Sequence, residues 1–276
     1  WIQKGRGDCD ITAVLSTAEG VERGLNLHLE RGNNLRDIFQ NNADTLSRID
    51  RALAHADRNY FTIALGASRR VADGSRYRTP ENFYETRRAN NVATLFNTDA
   101  NLTSLESWAV DLDYNDDQKA RDVIQSVLKA FMPNVHYDGI DRRSRRLLFR
   151  TPDGIIPLDS LSEGYQNIAT WVGDLLYRIT NHFPDYKRPL VARGLLLVDE
   201  IDMHLDPNWQ RMLFAFLENE LPNFQVVATT HSPLTARLAG PGELFVLHRK
   251  NNAFTAEQFQ RDPEHYPLDE DAVAVV

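Results

Sequence analysis

Two adjacent acids, Asp199 and Glu200, close the uninterrupted apolar run Leu195–Val198. Neighbouring residues at a strand end can take different tasks. In a nucleotide site the first acid would hold a magnesium ion, largely through its waters, and the second would orient and deprotonate the attacking water. Taken alone, the pattern reads equally as a strand ending in two solvated acids. His231 follows a second apolar run, Phe224–Ala228, where an imidazole could hydrogen-bond a phosphate oxygen or a water, or serve as an ordinary polar loop residue. Ser162, Glu163 and Gly164 stand immediately ahead of a helical pattern, so a hydroxyl and free backbone N–H groups would meet at a positively polarised helix start. A serine cap followed by an acid is also how many helices begin. Asp206 and Pro207 carry the signature of a cap and first turn, which accounts for them locally.

The elements that must position these residues are legible as periodicity. Ile168, Trp171, Val172, Leu175, Leu176 and Ile179 mark one helix face, and Trp209, Met212, Leu213, Phe216 and Leu217 mark another. Between and after them, Leu195–Val198, Phe224–Ala228 and Leu244–Leu247 are apolar on both faces, as strands of a covered parallel sheet are. In such a sheet, ligands sit beyond the carboxyl ends of the strands, where Asp199, Glu200 and His231 fall.

Upstream, Ile11, Ala13 and Leu15, then Leu25, Leu27 and Leu29, alternate as in an antiparallel hairpin. A helix is expected over Asp37–His55, a short strand over Tyr60–Leu65 ended by Gly66, and a polar excursion without clear period over Val71–Asn97. Asp116 stands at the cap of an amphipathic helix carrying Ala120, Val123, Ile124, Val127, Leu128 and Phe131, stopped by Pro133; short strands follow over Val135–Leu158. The expected class is α/β, a parallel sheet flanked by helices with an antiparallel layer and a helical insertion. The expected segments are 1–70, 71–134 and 135–276.

The 276 residues carry a formal net charge of −8, so the molecule as a whole repels polyanions and any nucleic-acid contact needs a local patch. The densest basic stretch, Arg142, Arg143, Arg145, Arg146 and Arg150, surrounds Leu147–Phe149 and reads as a solvated strand edge ahead of a DNA-contacting ridge. One cysteine, Cys9, excludes an internal disulfide and a thiolate cluster. No apolar run reaches membrane-spanning length and no signal peptide is evident, so a cytoplasmic location is expected.

The order LSEGYQ (161–166), LLLVDEIDMHLDP (195–207) and THSP (230–233) resembles the signature, Walker B with D-loop, and H-loop of ABC-type ATPases. The likeness is to the SMC and RecF branch, and within it to compact bacterial defence ATPases of the overcoming-lysogenization-defect and Septu kind. It is specific over Leu158–Arg249 and loose before that. It implies a P-loop NTPase fold, ATP and Mg2+ as cofactors, Asp199 as metal ligand, and Glu200 and His231 as catalytic groups. It further implies that Asp206 is the D-loop acid of the nucleotide site and that the Ser162–Glu163–Gly164 turn contacts the γ-phosphate of nucleotide held by a second copy in a sandwich homodimer, which drives an effector nuclease or toxin in phage defence or DNA repair.

The likeness breaks at one point. The phosphate-cradling pattern G-x-x-x-x-G-K-[ST] needs a Gly-Lys pair, and none occurs in the 276 residues. The sequence reading places that loop upstream of Trp1. Gly66–Arg70 is the nearest imitation, and Arg69 and Arg70 read first as a surface pair and second as a contact to nucleotide or partner. The competing readings are a nucleotide-independent scaffold or pseudo-ATPase that has lost nucleotide binding and mediates complex assembly and, disfavoured by the long segment before LSEGYQ, a transporter subunit.

Overall fold

The structure, a computed structural model, describes residues 7–16, 20–55, 61–69, 71, 86–114, 118–132, 135–186, 188–250, 253–259 and 273–275. Its contacts divide the chain into two units, 1–61 and 62–276.

The first unit is the expected hairpin followed by helices. Strands β1 (Asp8–Ser16) and β2 (Glu22–Glu30) pair antiparallel, with Ala13 opposite Leu25. The helix expected over Asp37–His55 is two helices, α1 (Leu35–Asn41) and α2 (Ala43–His55). Asn34 and Asp37 form a capping box that starts α1 two residues earlier than expected. The break falls at Asn42, whose amide accepts from His28 N–H (2.7 Å) and donates to His28 carbonyl (2.9 Å), pinning the helix junction to β2.

The second unit starts at β3 (Thr62–Leu65). The segment 72–85 lies outside the described residues, and the rest of the expected excursion is the helix α3 (Arg87–Phe96), capped by Thr86. Helix α4 (Leu105–Tyr114) follows, with Leu105, Trp108, Ala109 and Leu112 buried; it had not been singled out in the sequence. Then come α5 (Gln118–Phe131) and a three-stranded antiparallel meander, β4 (His136–Asp141), β5 (Arg146–Thr151) and β6 (Gly154–Pro157). Asp116 and Pro133 lie outside the described residues. The meander carries the basic stretch, where Arg142 pairs with Asp113 (3.0 Å), Arg146 with Asp159 (3.0 Å) and Arg150 with Asp138. These pairs favour the strand-edge reading over a nucleic-acid ridge.

The remaining elements are α6 (Glu163–His182), β7 (Gly194–Val198), α7 (Pro207–Glu220), β8 (Phe224–Thr230), the short α8 (Pro233–Ala236), β9 (Phe245–Lys250), β10 (Ala253–Gln258) and β11 (Val273–Val275). The six-stranded sheet runs β10-β9-β11-β8-β7-β3. β3, β7 and β8 are parallel neighbours, with Leu65 opposite Val198 and Val198 opposite Ala228. The sheet is therefore mixed: β9 points the same way as β8, but antiparallel β11 lies between them and β10 closes the edge. No helix among the described residues is long and apolar enough to cross a membrane.

Helix α6 is the core of this unit. Ile168, Ala169, Trp171, Val172, Leu175, Leu176 and Ile179 are all fully buried, as their spacing predicts. One charge is buried with them. Asp174 accepts from Arg178 Nε (2.6 Å) and from the Thr103 backbone N–H (2.8 Å), while Arg178 donates to the Asn90 carbonyl (2.8 Å), tying α3 and the start of α4 to α6. Two close approaches fix α3 against β3. Thr94 Oγ1 donates to the Ala64 carbonyl (3.1 Å) and accepts from Gly66 N–H (3.4 Å), and a Cβ on Gly66 would lie 2.0 Å from the Thr94 carbonyl oxygen.

The buried pair yields a stability prediction. Asp174→Ala leaves the Arg178 cation and the Thr103 N–H without their partner, so urea unfolding should show a loss of about 3–5 kcal/mol. A loss within the error of the measurement would contradict this account.

Candidate functional site

The parallel register brings the carboxyl ends of β3, β7 and β8 to one edge of the sheet. Backbone pairing continues one step past β7: Asp199 N–H donates to the Leu65 carbonyl (2.9 Å) and Ile201 N–H to the Thr229 carbonyl (3.0 Å). Between them Glu200 takes a left-handed conformation, φ 49°. That region costs an L-residue roughly 1–2 kcal/mol, so surrounding bonds must hold it.

Thr229 supplies one of them. Its hydroxyl accepts the Glu200 N–H (2.9 Å) and donates to Asp199 Oδ1 (2.7 Å), so one side chain orients both acids. His231 Nε2 lies 3.1 Å from Glu200 Oε1, the imidazole more than half exposed and the carboxylate less so. Desolvation raises the Glu200 pKa; His231 opposes the shift, Asp202 and Asp199 add to it, and Arg69 again opposes it. Thr230, fully buried, donates to Asp202 and accepts the Ser232 N–H (2.9 Å), which fixes the turn carrying His231. Three of the residues singled out from sequence, Asp199, Glu200 and His231, thus share one edge.

Asp206 caps α7, its Oδ1 accepting from Asn208 N–H (2.8 Å) and Trp209 N–H (3.2 Å). Ser162 occupies the cap position of α6, but its side chain makes no capping bond and is exposed. The turn is held instead by Gln166, whose Nε2 donates back to the Leu161 carbonyl (2.7 Å). Gly164 is where α6 approaches α7, since a Cβ there would stand 3.1 Å from Trp209 Nε1; Tyr165 meets the same indole edge-on, 4.7 Å between centroids. Among the described residues, no hydrogen bond or ion pair joins Ser162, Glu163 or Gly164 to Asp199, Glu200 or His231. The candidates therefore fall into two groups, one at the sheet edge and one where α6 and α7 begin.

Several residues of the site went unseen in the sequence. Gln210, buried, donates to the Leu205 carbonyl (3.0 Å) and accepts from Ser232 Oγ (3.1 Å) and Thr235 Oγ1 (3.0 Å), tying the start of α7 to the turn after His231. Thr229 and Thr230 sat within the strand-and-histidine pattern without being assigned. Arg69, read as half of a surface pair, is instead turned inward onto main-chain carbonyls; Arg70 lies outside the described residues. Nothing in a sequence marks a side chain whose partners are backbone atoms.

No group of three or more His, Cys, Asp or Glu side chains among the described residues is arranged to hold a metal ion. A magnesium ion at Asp199 would thus have to complete its shell with water and nucleotide oxygens, as this hard cation commonly does.

Against known proteins, the family described as "AAA domain, putative AbiEii toxin, Type IV TA system" matches residues 23–237. The chain is 31% identical over 156 residues to the Septu protein PtuA of Bacillus mycoides, covering 56% of this chain and 21% of that protein. It is 31% identical over 133 residues to the Retron Vc95 probable ATPase of Vibrio cholerae, covering 48% of this chain and 26% of that protein. The chain thus spans about a fifth to a quarter of the length of these relatives. The SMC head domain from Thermotoga maritima aligns over 94% of this chain and 78% of its own at 13% identity and a TM-score of 0.45, a likeness too remote to bear on function. With the family match running from the hairpin strand β2 to the turn beyond His231, the chain belongs to the AAA-domain family that includes the putative AbiEii toxins.

Proposed function

We propose that this chain is part of an ATP-hydrolysing protein and supplies the acid–histidine edge and the serine-capped helix of a composite site. The observation that carries the reading is the placement of Glu200 3.1 Å from His231 at the carboxyl edge of a parallel sheet, beside an Asp199 already oriented by Thr229. In this reading Asp199 faces a nucleotide-bound Mg2+. Glu200 takes the proton of the attacking water, its raised pKa bringing it closer to neutral pH as general-base work favours. His231 steadies that carboxylate or the terminal phosphate.

Ser162, with a hydroxyl not used for capping, and the first N–H groups of α6 suit an anion. As the resemblance to ABC-type ATPases implies, they would serve nucleotide held by a second copy, with Glu163 and Gly164 in the same turn and Asp206 at the start of α7. The phosphate-cradling loop comes from residues outside this sequence. ATP-driven pairing of two copies would then act on an effector, a nuclease or toxin, in defence against phage or in DNA repair; the relatives named Septu protein and Retron probable ATPase favour the former.

The test uses the full-length natural protein. Glu200→Gln should lower ATP turnover by about 10²–10⁴-fold while leaving ATP bound and an ATP-dependent dimer visible by light scattering. Turnover equal to that of the unmutated protein would sink the assignment of Glu200. Failure of the unmutated protein to retain labelled ATP would favour a nucleotide-independent scaffold.

The same substitution has a stability signature. A carboxyl whose folded-state pKa lies above its unfolded value weighs against folding only once ionised, so the burden is absent at low pH and grows as pH rises through the folded value. Glu200→Gln should therefore raise the thermal midpoint at about pH 8, and the gain should vanish by about pH 3, below the ordinary carboxylate range. A midpoint that falls at pH 8 would refute the desolvation account.

A further inference from the structure

Arg69 stands four residues past the end of β3, and its guanidinium reaches across the sheet edge to the carboxyl end of β7. Nη2 donates to the Asp199 carbonyl (3.0 Å) and to the Glu200 carbonyl, and Nη1 to the Ile201 carbonyl (3.4 Å). These three carbonyls belong to consecutive residues, and their convergence follows from the left-handed turn at Glu200. Gathering three carbonyl oxygens beside the carboxylates of Asp199, Glu200 and Asp202 is electrostatically unfavourable unless a cation sits among them. Arg69 supplies it. Burial pulls its pKa down to about 10, against the opposing charges of Asp202, Asp199 and Glu200, so the group remains a cation at neutral pH. Trp171, a fully buried residue of α6, has its ring centroid 5.8 Å from the guanidinium carbon, within reach of a cation–π contact.

We propose that Arg69 is the positioning residue of this edge, its three-way grip on the carbonyls of 199–201 holding Glu200 in the left-handed conformation that turns its carboxylate towards His231. Thr229 holds the same residue by its N–H, so Glu200 is fixed on both sides of its Cα. A planar fork over an aromatic ring can hold three acceptors in fixed geometry. A lysine ammonium carries the same charge without that preorganisation. The catalytic consequence rests on the reading of Glu200 as the base in ATP hydrolysis; the conformational consequence does not.

The test therefore has two arms, both in the full-length protein. In the first, Arg69→Lys and Arg69→Gln are compared for ATP turnover. Each should lower kcat about tenfold or more with KM changed less than about threefold, because the base is misplaced while nucleotide contacts stay. A kcat within about twofold of the unmutated protein for both variants overturns the positioning role. In the second arm, urea unfolding is followed for Arg69→Gln alone, Glu200→Gly alone and the pair. Glycine adopts the left-handed turn without strain, so the midpoint lost on removing Arg69 should shrink to about half in the Glu200→Gly background. An equal loss in both backgrounds overturns the conformational claim. If the glutamine variant does not fold, Arg69→Lys carries the same cycle. If the unmutated protein hydrolyses no ATP, the proposed function fails by itself, and the unfolding cycle still decides what Arg69 does.

Discussion

Two backbone hydrogen bonds, from Asp199 N–H to the Leu65 carbonyl and from Ile201 N–H to the Thr229 carbonyl, carry the sheet's pairing past the end of β7. They leave a single residue between them to make the turn, and that residue is Glu200. An apolar strand held on both sides cannot shift its register without exposing its side chains, so the position of the acid is inherited from the burial of Leu196 and Val198. The turn then has to satisfy its own N–H and carbonyls, which Thr229 and Arg69 do from opposite sides. The site is a set of polar groups whose geometry is dictated by the hydrophobic strand that leads into them.

The second group is organised differently. Here a missing side chain matters: Gly164 admits the Trp209 indole, and the beginnings of α6 and α7 come together with Tyr165 against the same ring. Asp206 is committed to its helix, while the Ser162 hydroxyl is not. Gln210 binds the α7 side to the turn after His231, so the two groups, though without a direct bond, are joined through one buried amide.

Much of this was readable in the amino-acid order because the signals were strong ones: strands apolar on both faces, a helix face repeating through Ile179, and acids at a strand end. The first helix came out as two because Asn42 bonds to the His28 backbone, a contact that no local pattern announces. The parallel strands β3, β7 and β8 came out as expected, but antiparallel β11 was not foreseen within the sheet because it enters from far along the chain, pairing over only three residues. Arg69 was misjudged for a related reason. An arginine beside a second arginine looks like solvated surface, and the acceptors that draw it inward are carbonyls present at every position of every sequence. The basic stretch of 142–150 shows the converse, a conspicuous pattern in which Arg142, Arg146 and Arg150 are matched locally by Asp113, Asp159 and Asp138.

The contact at Gly66 bears on how variation in this family should be interpreted. The atom that excludes a larger residue there is a main-chain oxygen, that of Thr94, and so no exchange of a neighbouring side chain can make room. Constraint of this kind has no compensating partner: it would keep a glycine in place through any amount of drift around it. Invariance at that position would record the thickness of a helix laid on a strand, and would be silent about catalysis.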